Sequence, residues 1–169
     1  MEVKPPTPGA SARELQPMVA TKLWSNPCRI SFRLNFLAHH FNQPLNERIQ
    51  REFGLSVPEY SVLFALGLSE GITAEEIAGT SSSPKNTLSR AVNSLLLQKL
   101  VRRERDDEDR RRLRLYLTEK GRSIVEQTRP WFVEHEEAMF KSLDLQERET
   151  LVYLMTKVIL SHHGFQRFA

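Results

Sequence analysis

The stretch from Pro84 to Gly121 constrains this chain more than any other, because its apolar spacing changes period partway along. Between Pro84 and Lys99, residues Leu88, Ala91, Val92, Leu95 and Leu96 fall on one side of a helix turning 100° per residue. From Leu100 the helical spacing gives way. Val101 to Arg105 and Leu113 to Leu117 are two short strand-like runs, the second alternating Leu113, Leu115 and Leu117 with Arg114 and Tyr116. The charged run Asp106-Asp107-Glu108-Asp109-Arg110-Arg111 between them makes a hairpin tip. Just upstream, Thr73-Ala74-Glu75-Glu76 is a capping box, with a hydroxyl at the N-cap and a carboxylate three residues later. It starts a short helix that ends in a turn over 79–83, after which Ser83-Pro84 begins the next helix. Two short helices across a turn, followed by a hairpin, read as a helix-turn-helix with a β-hairpin attached.

The rest of the chain is helical by the same criteria. Residues 1–22 hold Pro5, Pro6, Pro8 and Pro17 and read as a flexible tail. Ser25 or Asn26 caps a long helix with Pro27 in its first turn, carrying Leu34, Leu37, Phe41, Leu45, Ile49 and Phe53 to Gly54 and kinked at Pro44. Ser56-Val57-Pro58-Glu59 opens the next helix. Beyond Thr118, a helix with Trp131 and Phe132 is kinked at Pro130, and a last one starts at the capping box Asp144-Leu145-Gln146-Glu147. The expected segments are thus 1–22, an N-terminal helix over 23–54, a helix-turn-helix lobe over 55–118, and C-terminal helices over 119–169. A single cysteine among 169 residues excludes an intrachain disulfide framework and a Cys-rich zinc site. No apolar run is long enough to span a membrane, and the first twenty residues lack a signal-peptide core, so a cytoplasmic chain is expected.

On the helix after Pro84, the face opposite the apolar one carries Asn86, Ser89, Arg90 and Asn93, flanked by Ser83, Lys85 and Thr87. Such side chains donate and accept at base edges and phosphates, and Arg can bind guanine in bidentate fashion. The hairpin adds charge. Between Lys99 and Arg114 the eight basic residues Lys99, Arg102, Arg103, Arg105, Arg110, Arg111, Arg112 and Arg114 outnumber five acidic ones. Guanidinium groups gathered beside a helix-turn-helix suit a surface that follows phosphates, although a net charge of only +3 does not require one. A hairpin tip is thin enough to send one Arg into a minor groove. Asp109 is expected to accept hydrogen bonds from the Arg111 side chain and hold it in that rotamer.

The run Leu95-Leu96-Leu97-Gln98-Lys99-Leu100-Val101-Arg102-Arg103, then Asp109-Arg110-Arg111, then Leu117-Thr118-Glu119-Lys120-Gly121 resembles the MarR family of winged helix-turn-helix regulators, and Thr87-Leu88-Ser89-Arg90 fits the same pattern. The resemblance implies a mainly α fold with a small β-hairpin wing and an intertwined α-helical dimerisation region from both chain ends. It implies a homodimer on double-stranded DNA with a roughly palindromic operator, a repressor's role, and release by a small-molecule effector. Carried over, Arg111 reads the minor groove from the wing tip with Asp109 as its buttress, Ser89 and Arg90 lie on the major-groove face, and Arg103, Arg110 and Arg112 join the DNA-facing set. Where the family usually has Gly this chain has Lys99, so a positive φ there would carry strain. Large apolar residues such as Phe32, Trp131, Phe140 and Phe165 on the end helices, more than one such chain could cover by itself, independently favour a dimer.

For the effector, Arg29 and Arg33 lie one helical turn apart near Trp24, Phe36 and His40, and with Trp131 they are candidates to line an aromatic, cationic pocket for an organic anion. Simple solvation or intersubunit ion pairing is the plainer reading of the two arginines. Cys28, in the first turn of its helix, is a redox candidate, with an inert thiol as the plainer reading. His39-His40, His135 and His162-His163 lack the four-residue spacing of a zinc site on one helix, so no metal and no cofactor are expected. No phosphate loop, nucleophile elbow or zinc-protease motif is present, so no catalytic residue is assigned and no enzyme is expected. A winged-helix adaptor that binds protein instead of DNA is the remaining alternative.

Overall fold

The computed structural model describes residues 17–81, 83–106 and 109–161. In chain order the elements are α1 (Pro17–Trp24), α2 (Arg29–Phe53), α3 (Val57–Leu68), β1 (Ile72–Thr73), α4 (Ala74–Thr80), α5 (Lys85–Leu97), β2 (Val101–Arg105), β3 (Leu113–Leu117), α6 (Glu119–Met139) and α7 (Leu145–Ser161). The chain forms two compact units, residues 1–48 and residues 49–169.

In the first unit the structure corrects the expected tail. Residues 17–24 are helical, while residues 1–16 lie outside the described residues, as do His162, His163 and Phe165. Pro17 stands at the first helical position, where its missing N–H and fixed φ are no handicap, and Met18, Val19 and Ala20 follow it. The start of α2 also moves. Asn26 Oδ1 accepts from the Cys28 amide at 2.8 Å, and the Cys28 carbonyl accepts from Phe32 N at 3.1 Å. Cys28 is therefore the N-cap and Pro27 lies outside the helix. Helix α2 continues through Pro44, as α6 does through Pro130.

The core of the second unit is built from Leu55, Val62, Leu63 and Leu66 around α3, Ile77 of α4, and Leu88, Ala91, Val92 and Leu95 of α5. Leu100, Val101, Leu115 and Leu117 join them from the sheet, with Ile124 and Val125 from α6. The apolar face expected on α5 is the buried one; Leu96 is only half-buried. Helix α3 meets α6 through a hydrogen bond between the Tyr60 and Thr128 hydroxyls at 2.7 Å and through Tyr60 stacked on Phe132. Burial from water pushes the Tyr60 phenol's pKa up, against the Thr128 bond and the field of Arg129.

The two expected strands form as an antiparallel pair, with Val101 opposite Leu117 and Arg105 opposite Leu113. A third strand was not expected. The sheet order is β1-β3-β2, with Ile72 opposite Leu115 and Thr73 opposite Arg114. Two residues carry no readable period, so only pairing with β3 defines β1. The inward alternation of β3 holds at Leu115 and Leu117 but fails at Leu113, which is 43% exposed near the tip, past the end of the core.

The junction between α5 and β2 explains two motif positions. Lys99 has φ of 56°, the left-handed region. The Leu100 amide donates to Leu95 O at 2.9 Å and the Lys99 amide to Leu96 O at 3.1 Å, the paired bonds of a Schellman end, with buried Leu95 and Leu100 beside them. An L side chain in this conformation is strained by roughly 1–2 kcal/mol, partly offset because glycine loses more entropy on folding. Lys99→Gly is therefore expected to stabilise the protein by about 0.5–1 kcal/mol. A thermal melt reading the same or lower would refute the strain.

Candidate nucleic-acid interface

Helix α5 turns the expected polar residues outward: Asn86, Ser89, Arg90 and Asn93 are exposed, and Thr87 is half-buried at the edge of that face. Ser83 is half-buried in the turn before it, its amide donating to Ser81 Oγ at 3.0 Å. Lys85, in the first turn, lies 3.4 Å from Glu75 of α4 in a fully solvated pair. The opposite end of α5 is held by a residue that the sequence reading passed over. Glu59 Oε1 accepts from Ser94 Oγ at 2.6 Å and Gln98 Nε2 at 3.1 Å, while Oε2 accepts from the Ser56 amide and hydroxyl. Desolvation opposes ionisation of Glu59, yet the bonds from Ser56, Ser94 and Gln98 together hold its pKa below the usual carboxylate value. Glu59 therefore caps α3 and tethers α5 at once.

The wing differs from expectation at Asp109. Its carboxylate accepts from the backbone amide of Arg111 at 3.0 Å, not from the guanidinium, while its carbonyl accepts from Arg112 N at 2.8 Å. Asp109 shapes the tip as an Asx turn rather than gripping the long side chain. Arg110 and Arg111 are exposed and make no ion pair with another described residue. Arg103 is exposed on β2, and Arg102 lies over the Tyr116 ring at 4.6 Å.

Arg112 and Arg114 do something else. Arg114 Nε donates to Asp106 at 2.5 Å and its Nη1 donates to the Gly71 carbonyl at 2.7 Å. Asp106, expected in a solvated tip, is buried at 5% exposure. Arg112 Nη2 donates to Glu76 Oε1 at 3.2 Å. Glu76 Oε2 meanwhile accepts from the Thr73 amide at 2.6 Å, and the Thr73 hydroxyl accepts from Glu76 N at 3.2 Å. The Thr73 amide and hydroxyl, followed by Arg112 and Arg114, hold the Glu76 carboxyl below its ordinary pKa. The sequence signalled the capping box but not what the second carboxylate oxygen would hold.

Several of the residues named for an effector pocket have partners within the chain. In the first unit, Arg33 donates to Arg29 O at 2.8 Å and Leu23 O at 2.9 Å, closing the end of α1, and lies over the Trp24 ring at 5.6 Å. Phe36 stacks on His40 at 4.0 Å, and His40 Nδ1 bonds the Phe36 carbonyl. Arg29 and Cys28 are exposed. In the second unit, Trp131 stacks on Phe53 at 6.0 Å. Among the described residues no three metal-binding side chains cluster, and no helix is long and apolar enough to cross a membrane.

Known proteins share this sequence pattern and fold. A family model described as MarR family matches residues 53–112. Transcriptional regulator HosA of Escherichia coli O157:H7 is 30% identical over 105 residues, spanning 62% of this chain and 78% of HosA. The crystal structure of a MarR-family transcriptional regulator from Silicibacter pomeroyi superposes with a TM-score of 0.73 at 26% identity, covering 82% of this chain and 92% of that one. The S. aureus MepR–DNA complex gives 0.66 at 25% identity, covering 78% and 97%. These relatives are regulators rather than enzymes. The left-handed turn at Lys99, the Thr118 cap of α6 and the β2–β3 hairpin fall where the sequence pattern called for them, and likeness to HosA runs over most of that protein's length; the chain belongs to the MarR family of winged-helix transcriptional regulators.

Proposed function

We propose that the chain binds a roughly palindromic operator as a homodimer, laying α5 in the major groove and Arg111 of the wing in the adjacent minor groove, and that it represses transcription until a small effector releases it. One observation carries this reading: the polar face of α5 (Asn86, Ser89, Arg90, Asn93) and the wing-tip cations Arg110 and Arg111 are all exposed, while the opposite face of α5 is core. The DNA complex of the similar MepR supports it. Dimerisation is supported by α7, which has no buried residue and exposes Leu145, Val152, Tyr153, Leu154, Val158, Ile159 and Leu160. At ~25 cal/mol per Å², that much wet apolar surface favours a second copy covering it. A two-fold dimer would set its recognition helices ~34 Å apart, one turn of B-DNA. The exposed Arg29 and the aromatic surface of Trp24 and Phe36 in the first unit favour an aromatic or organic anion as effector.

The test is a salt titration on an operator obtained by in vitro selection. Six or more phosphate contacts predict a loss of about 10³-fold in affinity between 50 and 200 mM salt. A protein-binding adaptor would form no specific DNA complex even at the low end.

A further inference from the structure

Three consecutive arginines, Arg110, Arg111 and Arg112, stand at the wing tip, and by charge alone all three belong to the DNA-facing set. The structure separates them. The Arg110 and Arg111 side chains point no donor at a described carboxylate, whereas Arg112 reaches back across the sheet edge to Glu76 in the first turn of α4. That acceptor is held in place before Arg112 arrives. Its other oxygen is bound by the Thr73 amide, and its own amide is bound by the Thr73 hydroxyl. Thr73 is itself a residue of β1, paired with Arg114 of β3, two positions beyond Arg112. Arg114 ties the same strand to Gly71 and to buried Asp106. The wing is therefore fastened to the segment 71–76, which runs through β1 into α4, at three points: the β1–β3 ladder, Arg114 on Gly71, and Arg112 on Glu76.

Resting on the operator reading above, we infer that Arg112 is a positioning residue: with Glu76 it fixes the angle of the wing against the helix-turn-helix, and leaves the contacts to DNA to Arg110 and Arg111. Both partners are about half exposed, so the pair adds little to global stability. Its effect is on orientation, because one end is immobilised by the capping box and less side-chain freedom is lost when the pair forms. If Arg112 instead served a phosphate, Glu76 would be a competitor for it, and neutralising Glu76 would tighten binding. The two roles predict opposite signs.

The test uses Glu76→Gln, Arg112→Gln and the double variant in the full chain. Gln is tolerated at the N3 position of a capping box, so α4 should stay folded. With its carbonyl on the Thr73 amide, its NH2 faces the Arg112 donors and the clamp opens. Each single variant is expected to weaken operator binding by about threefold to tenfold, and the double variant no further, with the wild-type slope of log affinity against log salt kept. In the DNA-free protein each variant speeds hydrogen exchange at the Asp106 amide, which donates to Arg112 O at 3.0 Å, and leaves core amides of α5 unchanged. That second readout needs no operator, so it judges the clamp even if the operator reading fails. Tighter binding by Glu76→Gln, a slope reduced by about one counterion in Arg112→Gln, or unchanged exchange in both variants would each overturn the assignment.

Discussion

Gly121→Ala is expected to destabilise the protein by about 3 kcal/mol or more, lowering its melting temperature by roughly 10 °C. A Cβ added at Gly121 would sit 2.1 Å from the Leu100 carbonyl oxygen and 3.1 Å from its carbon. The obstacle is backbone, and backbone that cannot retreat cheaply. Leu100 O accepts from Thr118 N at 3.0 Å and from Thr118 Oγ1 at 3.1 Å, and Thr118 Oγ1 also donates to Lys99 O and accepts from Gly121 N. Moving Leu100 away would loosen the end of the β2–β3 ladder, the cap of α6 and the Schellman end of α5 together. Gly67→Ala provides the control. Its Cβ would meet Val125 Cγ1 at 2.6 Å, a side-chain methyl rather than backbone, so a smaller loss of about 1–2 kcal/mol is expected there. Circular-dichroism melts of both variants decide the matter; equal melting points would mean that the close approach at Gly121 is not rigid.

Arg111→Ala is expected to weaken operator binding at least tenfold, about 1.4 kcal/mol, without altering the fold. The side chain is exposed and the Asp109 bond is to its amide, which alanine keeps, so the Asx turn survives the change. What is lost is a guanidinium that a narrow minor groove, with its concentrated negative potential, would attract. Fluorescence anisotropy at fixed salt measures the effect, and sedimentation of the same samples checks the oligomer. Affinity equal to wild type would remove the wing from the interface.

Helix α5 was readable because one periodicity did two jobs. Leu88, Ala91, Val92 and Leu95 had to face the core at 3.6-residue spacing, so Asn86, Ser89, Arg90 and Asn93 had to face away from it. The wing strands were readable from alternation, and the α6 cap from Thr118 and Gly121. What misled was local charge. Asp106 looks like its acidic neighbours in sequence, yet it is buried because Arg114, eight residues on and across a hairpin, brings its guanidinium over it. Glu59 looks like a helix-start acid, and its reach to Ser94 and Gln98 spans up to 39 residues. In the first unit, a proline count suggested a tail as far as Lys22, although Pro17 sits where a helix accepts proline.

Sequence alone determined the order of α2 to α7 and of the two wing strands, the capped starts of α3, α4, α6 and α7, the inward and outward faces of α5, and the family pattern from Leu95 to Gly121. Those features are written in neighbours a few residues apart, at distances the backbone geometry of one element enforces. Tertiary structure alone decided that Ile72 and Thr73 are a strand, that Asp106 is buried, that Asp109 holds an amide rather than a guanidinium, and that Arg112 turns to Glu76. Each depends on which donor a charged oxygen meets first in space. A side chain's charge is a property of the residue, but its partner is set by how separate elements pack.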